Sequence, residues 1–169
     1  WRNEVRGVIV VDEHMFVVLF VRSNSFSVVN SHSQVNVYDS RTLKAQPDIN
    51  IPDMKSPQGL AGCSHNKALY ISDSELECIH RVNLTDKSVK NWKIKYSNPR
   101  GLSVTSEHNL LVTIWDSPSR VLEYTSEGQL IRDIKLDESI EEAHQTVQLS
   151  TDQFIICHGS GSSLNRLCV

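Results

Sequence analysis

Seven histidines, four cysteines and twenty Asp and Glu residues give this chain of 169 residues material for metal, nucleophile or acid/base chemistry. Their spacing withholds most of it. Cys63, Cys78, Cys157 and Cys168 form no C-x-x-C pair, so neither zinc nor a redox dithiol is indicated, and they are too few to build a disulfide scaffold. They read as reduced packing residues. His65-Asn66 and His108-Asn109 hold matching turns, with His14 near the equivalent place. Such turns are expected at the periphery of successive elements, too far apart to share an ion at the ~2 Å that zinc ligands need. For His144 and His158, which are expected nearer the channel face, the sequence singles out no matching Asp or Glu that would complete three ligands. No G-x-S-x-G elbow occurs, and the glycine-rich run 158–163 lacks the GK[ST] and following helix of a phosphate loop, which leaves a flexible hairpin loop. The carboxylates Asp133, Asp137, Glu138, Glu141 and Glu142 lack the EF-hand pattern and read as a solvated loop. No catalytic residue, metal or cofactor is expected.

The elements that position these residues are strands. The chain holds 18 Val against 4 Ala, and β-branched side chains suit pleated surfaces while Ala favours helices. The strands repeat. Ser56-Pro57-Gln58-Gly59-Leu60 returns as Asn98-Pro99-Arg100-Gly101-Leu102, a shift of 42 residues that also carries Cys78-Ile79-His80-Arg81-Val82 onto Arg120-Val121-Leu122-Glu123-Tyr124. A further unit follows at a shift of 44, where Ala143-His144-Gln145-Thr146-Val147 takes the place of the Pro-x-Gly-Leu opening. An earlier one begins at Arg6-Gly7-Val8 and holds about eight extra residues between Val18 and Val35. Four short antiparallel strands in each unit of about 42 residues describe the blade of a β-propeller. The units are 1–52, 53–95, 96–137 and 138–169, the last incomplete.

In a blade the strands run outward from a central channel, so the residue just before each inner strand rings the channel mouth. These are Arg6, Gln58, Arg100 and His144, candidates for holding a ligand or partner peptide. The competing reading has them bonded to loop carbonyls and water. Loops 74–77, 115–120 and 158–163 share that face. Trp115, expected exposed at a loop tip, is the best single anchor for a protein interface, and Arg120 stands beside it. Asp73 and Asp116, which end second strands, are expected to accept loop backbone hydrogens.

Pro99-Arg100-Gly101-Leu102, Leu110-Leu111-Val112, Arg120-Val121-Leu122-Glu123-Tyr124 and Gly128-Gln129-Leu130-Ile131 together resemble an NHL-type repeat, and Tyr70-Ile71-Ser72-Asp73 with His80-Arg81-Val82 is similar. The likeness covers nearly the whole chain and is strongest in the second and third units. It implies an NHL β-propeller, a fold that in animals often ends tripartite-motif ubiquitin ligases and binds protein or RNA there. A smaller set resembling amidating lyases and lactonases are metal-dependent enzymes. Six blades at this repeat length need about 250–280 residues, so three expectations stand for a chain of just under four: a fragment, a chain completed by further blades or another chain, or a compact four-bladed variant.

Charge narrows the partners. Seventeen Lys and Arg against twenty Asp and Glu leave a net charge of −3, with no overall pull toward phosphate backbones or anionic membranes. RNA would need Arg6, Arg22, Arg100 and Arg120 gathered with stacking aromatics, yet Glu75 and Glu77 share their face. No run approaches the ~18 apolar residues of a spanning helix. The expectation is therefore a non-enzymatic module, cytoplasmic, that presents its loop face to a protein partner as the substrate-recognition part of a ubiquitin ligase or a similar scaffold. An RNA-binding surface and a metal-dependent lyase or lactonase are the rivals.

Overall fold

The computed structural model describes residues 2–24, 27–150, 153–159 and 166–168, and side chains within 4–21, 33–150 and 153–159. It is all-β, and among the described residues no helix is long and apolar enough to cross a membrane. Among the described residues fifteen strands form four antiparallel sheets. The first holds β1 (Arg2–Asp12), β2 (Met15–Asn24), β3 (Ser27–Asp39) and β4 (Ala45–Ile49); the second β5 (Pro57–Cys63), β6 (Ala68–Asp73), β7 (Cys78–Asn83) and β8 (Val89–Lys93). The third holds β9 (Pro99–Val104), β10 (Leu110–Ile114), β11 (Arg120–Tyr124) and β12 (Leu130–Lys135), and the fourth β13 (Ala143–Ser150), β14 (Gln153–His158) and β15 (Arg166–Cys168). Within each sheet the strands pair in chain order, as blades do.

Burial follows position in the blade. Strands β6 and β10 are buried along their whole length because each lies between two neighbouring sheets. Leu69 and Ile71 of β6 pack with Val11, Val17, Leu19 and Val37 of the first sheet, while Ala68 and Tyr70 pack with Leu102, Leu110 and Val112 of the third. Alternate side chains of one strand thus serve two cores. A third core joins Leu111 and Val121 to Ala143 and Ile156 of the fourth sheet. Outer strands β4, β8 and β12 are mostly exposed. The extra residues of the first unit, expected between Val18 and Val35, lengthen β2 and β3 into a paired hairpin instead of adding a loop.

The inner strands approach one another at glycine. A Cβ on Gly59 would overlap the Arg100 carbonyl oxygen of the next sheet, and one on Gly101 would overlap the His144 carbonyl oxygen. The contact at Gly7 is looser and made by a side chain, the Leu60 Cβ lying 3.0 Å from the ideal Cβ position. The Ser72 hydroxyl accepts from the Gly59 N–H at 2.8 Å and donates to the Arg100 carbonyl at 2.6 Å, tying two sheets at this step. Gly62, by contrast, would meet side chains and no backbone, Val11 at 3.2 Å and Ile9 at 3.7 Å. Gly101→Ala is therefore expected to destabilise by about 1–3 kcal/mol, read as a fall in the urea unfolding midpoint, with Gly62→Ala costing clearly less.

Candidate functional site

One hollow of about 550 Å³ opens between the inner strands of all four sheets and is lined by Arg6, Gln58, Arg100 and His144 together. A shared backbone device aims them. The inner-to-second strand register slips between Val5 and Gly7, between Pro57 and Gly59, at Arg100-Gly101 opposite Thr113, and between Ala143 and Gln145. Each slip is a β-bulge, and the extra residue is the mouth residue itself, or at the third sheet one of the Arg100-Gly101 pair. The x-Gly pair that marks the bulge is legible in three units and replaced by His144-Gln145 in the fourth.

The side chains form a directed array. Arg100 Nη1 donates to Gln58 Oε1 at 2.9 Å, and Gln58 Nε2 donates to the Ser56 and Ser74 hydroxyls at 3.1 and 3.2 Å. The Arg100 guanidinium lies 5.0 Å from the Trp115 ring centroid. Trp115 is therefore half-buried under an arginine and is not the exposed tip the sequence suggested, because the β10–β11 loop folds back and its Trp115 N–H bonds the Asn98 carbonyl at 3.2 Å. Arg100 Nε and Trp115 Nε1 are buried without hydrogen-bond partners. Arg6 pairs with Glu4 at 3.2 Å, and His144 Nε2 lies 3.1 Å from the Gly159 carbonyl. Burial, then the like charge of Arg6, draws the Arg100 guanidinium below its ordinary pKa, against a smaller opposing effect of Glu142.

Arg120 stands apart from this hollow. Its Nε donates to Asp133 Oδ1 at 2.8 Å, and its guanidinium covers the Tyr96 ring at 4.8 Å. Asp133 is consequently no part of a solvated loop: it sits on β12 and also accepts from Tyr96 and Lys95. Burial alone would raise its carboxyl, yet these hydrogen bonds hold it down at about 2. Of the expected loop face, 160–163 and the Arg22 side chain lie outside the described residues.

His65 and His108 also depart from expectation, for their rings stack at 3.9 Å and 7°. The hairpins that carry them join inner to second strands, so they lie side by side at the far end of the channel instead of at the periphery. Stacked face to face, the rings do not converge their nitrogens on one point. Among the described residues no group of three His, Cys, Asp or Glu side chains could hold a metal ion.

Asp73, His80 and Cys78 assemble the residue types of a nucleophile triad with the wrong geometry. His80 Nε2 faces both Asp73 Oδ2 at 3.5 Å and Cys78 Sγ at 3.6 Å, whereas Nδ1 has no partner, and all three side chains are buried. A relay needs the carboxylate and the nucleophile on opposite ring nitrogens. Asp73 instead accepts the backbone N–H groups of Lys55, Ser56, Glu75 and Leu76 at 2.6–3.2 Å, which anchors the β4–β5 connection and the β6–β7 turn. Asp116 bonds the side chains of Asn98, at 2.6 Å, and Ser97. Burial pushes the His80 imidazole down, but its hydrogen bonds to Asp73 and Cys78 outweigh this and hold it at about 9. Against an unfolded value of about 6.5, the pair stabilises fully below that pH and loses its contribution as pH rises through 9. Unfolding free energies measured from pH 6 to 10 should show a loss of roughly 3 kcal/mol, which is absent in His80→Gln.

No protein family and no curated protein matches the chain. Solved structures do. The chain is similar to a component of a nidogen/laminin complex (14% identity, TM-score 0.71, 91% of this chain and 56% of that one). It is also similar to a gluconolactonase of Xanthomonas campestris (17%, 0.67, 90% and 53%) and to the WD40 propeller domain of Doa1 (14%, 0.66, 90% and 47%). At such identities the likeness concerns fold alone. The fold is that of a partial β-propeller, four blade-like sheets among the described residues, and the chain spans about half the length of these neighbours.

Proposed function

We propose that this chain is a non-enzymatic binding module of NHL type whose channel mouth and adjoining loops take a protein partner, as the recognition part of a ubiquitin ligase or a comparable scaffold. The observation that carries the reading is the convergence of four bulge residues from four blades on one open hollow. Every one of them offers polar groups, and Arg100 is braced by Trp115, a residue type common at interface hot spots. The Pro-x-Gly openings and the Arg120-Val121-Leu122-Glu123-Tyr124 strand support the NHL assignment. A neighbour solved as a nidogen/laminin complex shows the fold in a protein assembly.

The flanks support a second part of the reading, completion of the ring by further blades or another chain. Ile9 and Val11 face the second sheet, so alternation turns Val8 and Val10 to the opposite side, where they are 61% and 68% exposed. Thr146 and Gln148 bond the third sheet, which leaves Val147 and Leu149 exposed on the other flank.

Benzoylphenylalanine placed at exposed Ser117, beside Trp115, should photo-crosslink a protein from extracts of the source cells. The same probe at exposed Glu107, on the far hairpin, should give no such adduct. The adduct should disappear with Arg100→Gln and persist with Arg120→Gln. Equal labelling at 117 and 107 would reject the mouth as the binding face.

A further inference from the structure

We propose that the channel mouth is a carboxylate site, and that the partner it receives is an acidic peptide whose Asp or Glu side chain docks on Arg100 and Arg6. The inference rests on the protein-binding reading above and names the chemistry of that partner. Its first support is an exception. Each other arginine with a described side chain has a carboxylate partner: Arg6 with Glu4, Arg41 with Glu13, Arg81 with Glu127, Arg120 with Asp133 and Arg132 with Glu123. Arg100, half-buried at the hollow, has none among the described residues.

What holds Arg100 instead is neutral. Gln58 Oε1 fixes Nη1, the Trp115 face supports the guanidinium plane, and no described residue takes a hydrogen bond from Nη2. The group is oriented without being discharged. With Nε buried and Nη1 engaged, a guanidinium so placed presents Nη2 for a charge-assisted hydrogen bond to a carboxylate. Arg6 lines the same hollow and is close enough to disfavour the charge on Arg100, so a bound anion between them would relieve the repulsion. Glu4 competes weakly for Arg6, since an exposed pair of this kind contributes little. Gln58 and His144 complete the polar lining.

The surroundings select a peptide over a nucleic acid. Glu4 lines the hollow and Glu142 acts on Arg100, while Glu138 and Glu141 line the neighbouring cleft. The rigidly spaced backbone phosphates of a nucleic acid would be held against these carboxylates, whereas a flexible acidic peptide can seat one side-chain carboxylate on the arginine pair and keep the others out in solvent. The hollow is open and about 550 Å³, suited to several residues of an extended segment.

The test is fluorescence anisotropy on the intact chain with three probes: fluorescein-labelled hexaglutamate, labelled hexauridylate, and unlabelled glutarate as competitor. Hexaglutamate is expected to bind saturably, to weaken with salt, and to lose about tenfold or more in affinity with Arg100→Gln and severalfold with Arg6→Gln. Arg120→Gln should leave it unchanged. Circular dichroism melts establish that the variants fold, and because Arg6 is exposed its substitution tests the idea even if Arg100→Gln is destabilised. The proposal is overturned by no hexaglutamate binding, by binding indifferent to both substitutions, or by tighter binding of hexauridylate with the same Arg100 dependence. Glutarate competing as well as hexaglutamate would replace a peptide by a small acid and also overturn it. If the Ser117 crosslink persists while hexaglutamate neither binds nor competes, the acidic chemistry fails and the protein-binding face survives; loss of both removes both.

Discussion

The close approach of neighbouring inner strands at glycine is the constraint on which the rest of this molecule depends. With no Cβ at positions 59 and 101, the backbone of one sheet can rest against the carbonyls of Arg100 and His144 in the next. Any larger residue would push the inner edges apart. The Ser72 hydroxyl then bridges the Gly59 N–H to the Arg100 carbonyl, and Ser103 and Thr113 reach Thr146 across the following step. Contact at the inner edge, with bulkier residues such as Tyr70, Trp92 and Tyr124 packed farther out, makes the stack of sheets fan around an axis. The residue just before each close contact is the one left pointing into the channel. Packing geometry and site geometry are therefore one feature of the backbone.

The molecule uses its charged side chains in two opposite ways. Asp73 and His80 are buried together with hydrogen-bond partners on every side of the carboxylate, so their charge is spent on fixing loops. Such a pair gives a defined geometry whatever its net energetic contribution. Asp133 with Arg120, Tyr96 and Lys95 does the same near the outer strand. Arg100 is held with comparable care, yet by an amide and an aromatic face that leave its charge unanswered. A half-buried cation without a counter-ion costs stability, and proteins concentrate such costs where a ligand relieves them.

The propeller blades and the ring of Arg6, Gln58, Arg100 and His144 could be read from the chain because the repeat fixes both: a residue one place before a recurring glycine must recur in space. Features that depend on distances between blades could not be read. The stacking of His65 on His108 needs two hairpins from different sheets to lie side by side, and a shift of 42 residues says nothing about that separation. Trp115 looked exposed because its loop is polar, but its partner Arg100 comes from another strand of the blade. The added residues of the first unit fit a loop as well as a longer hairpin by composition. Cross-strand pairs such as Phe16 on Tyr38, stacked at 5.0 Å, give the hairpin packing of its own.

Preorganisation links these observations to recognition. An exposed arginine gives up much side-chain entropy when it captures a carboxylate, and water competes for both groups. Arg100 has already given up that freedom, since folding places its guanidinium between the Gln58 amide of one blade and the Trp115 ring of its own. Gln58 is itself held by Ser56 and Ser74, so the brace extends to the loop that Asp73 anchors. The cost of ordering the donor is met by the fold before a ligand arrives, and the net binding energy rises accordingly. The same brace makes recognition selective, because a donor fixed by two blades accepts a partner only along the direction that the inner-strand packing has set.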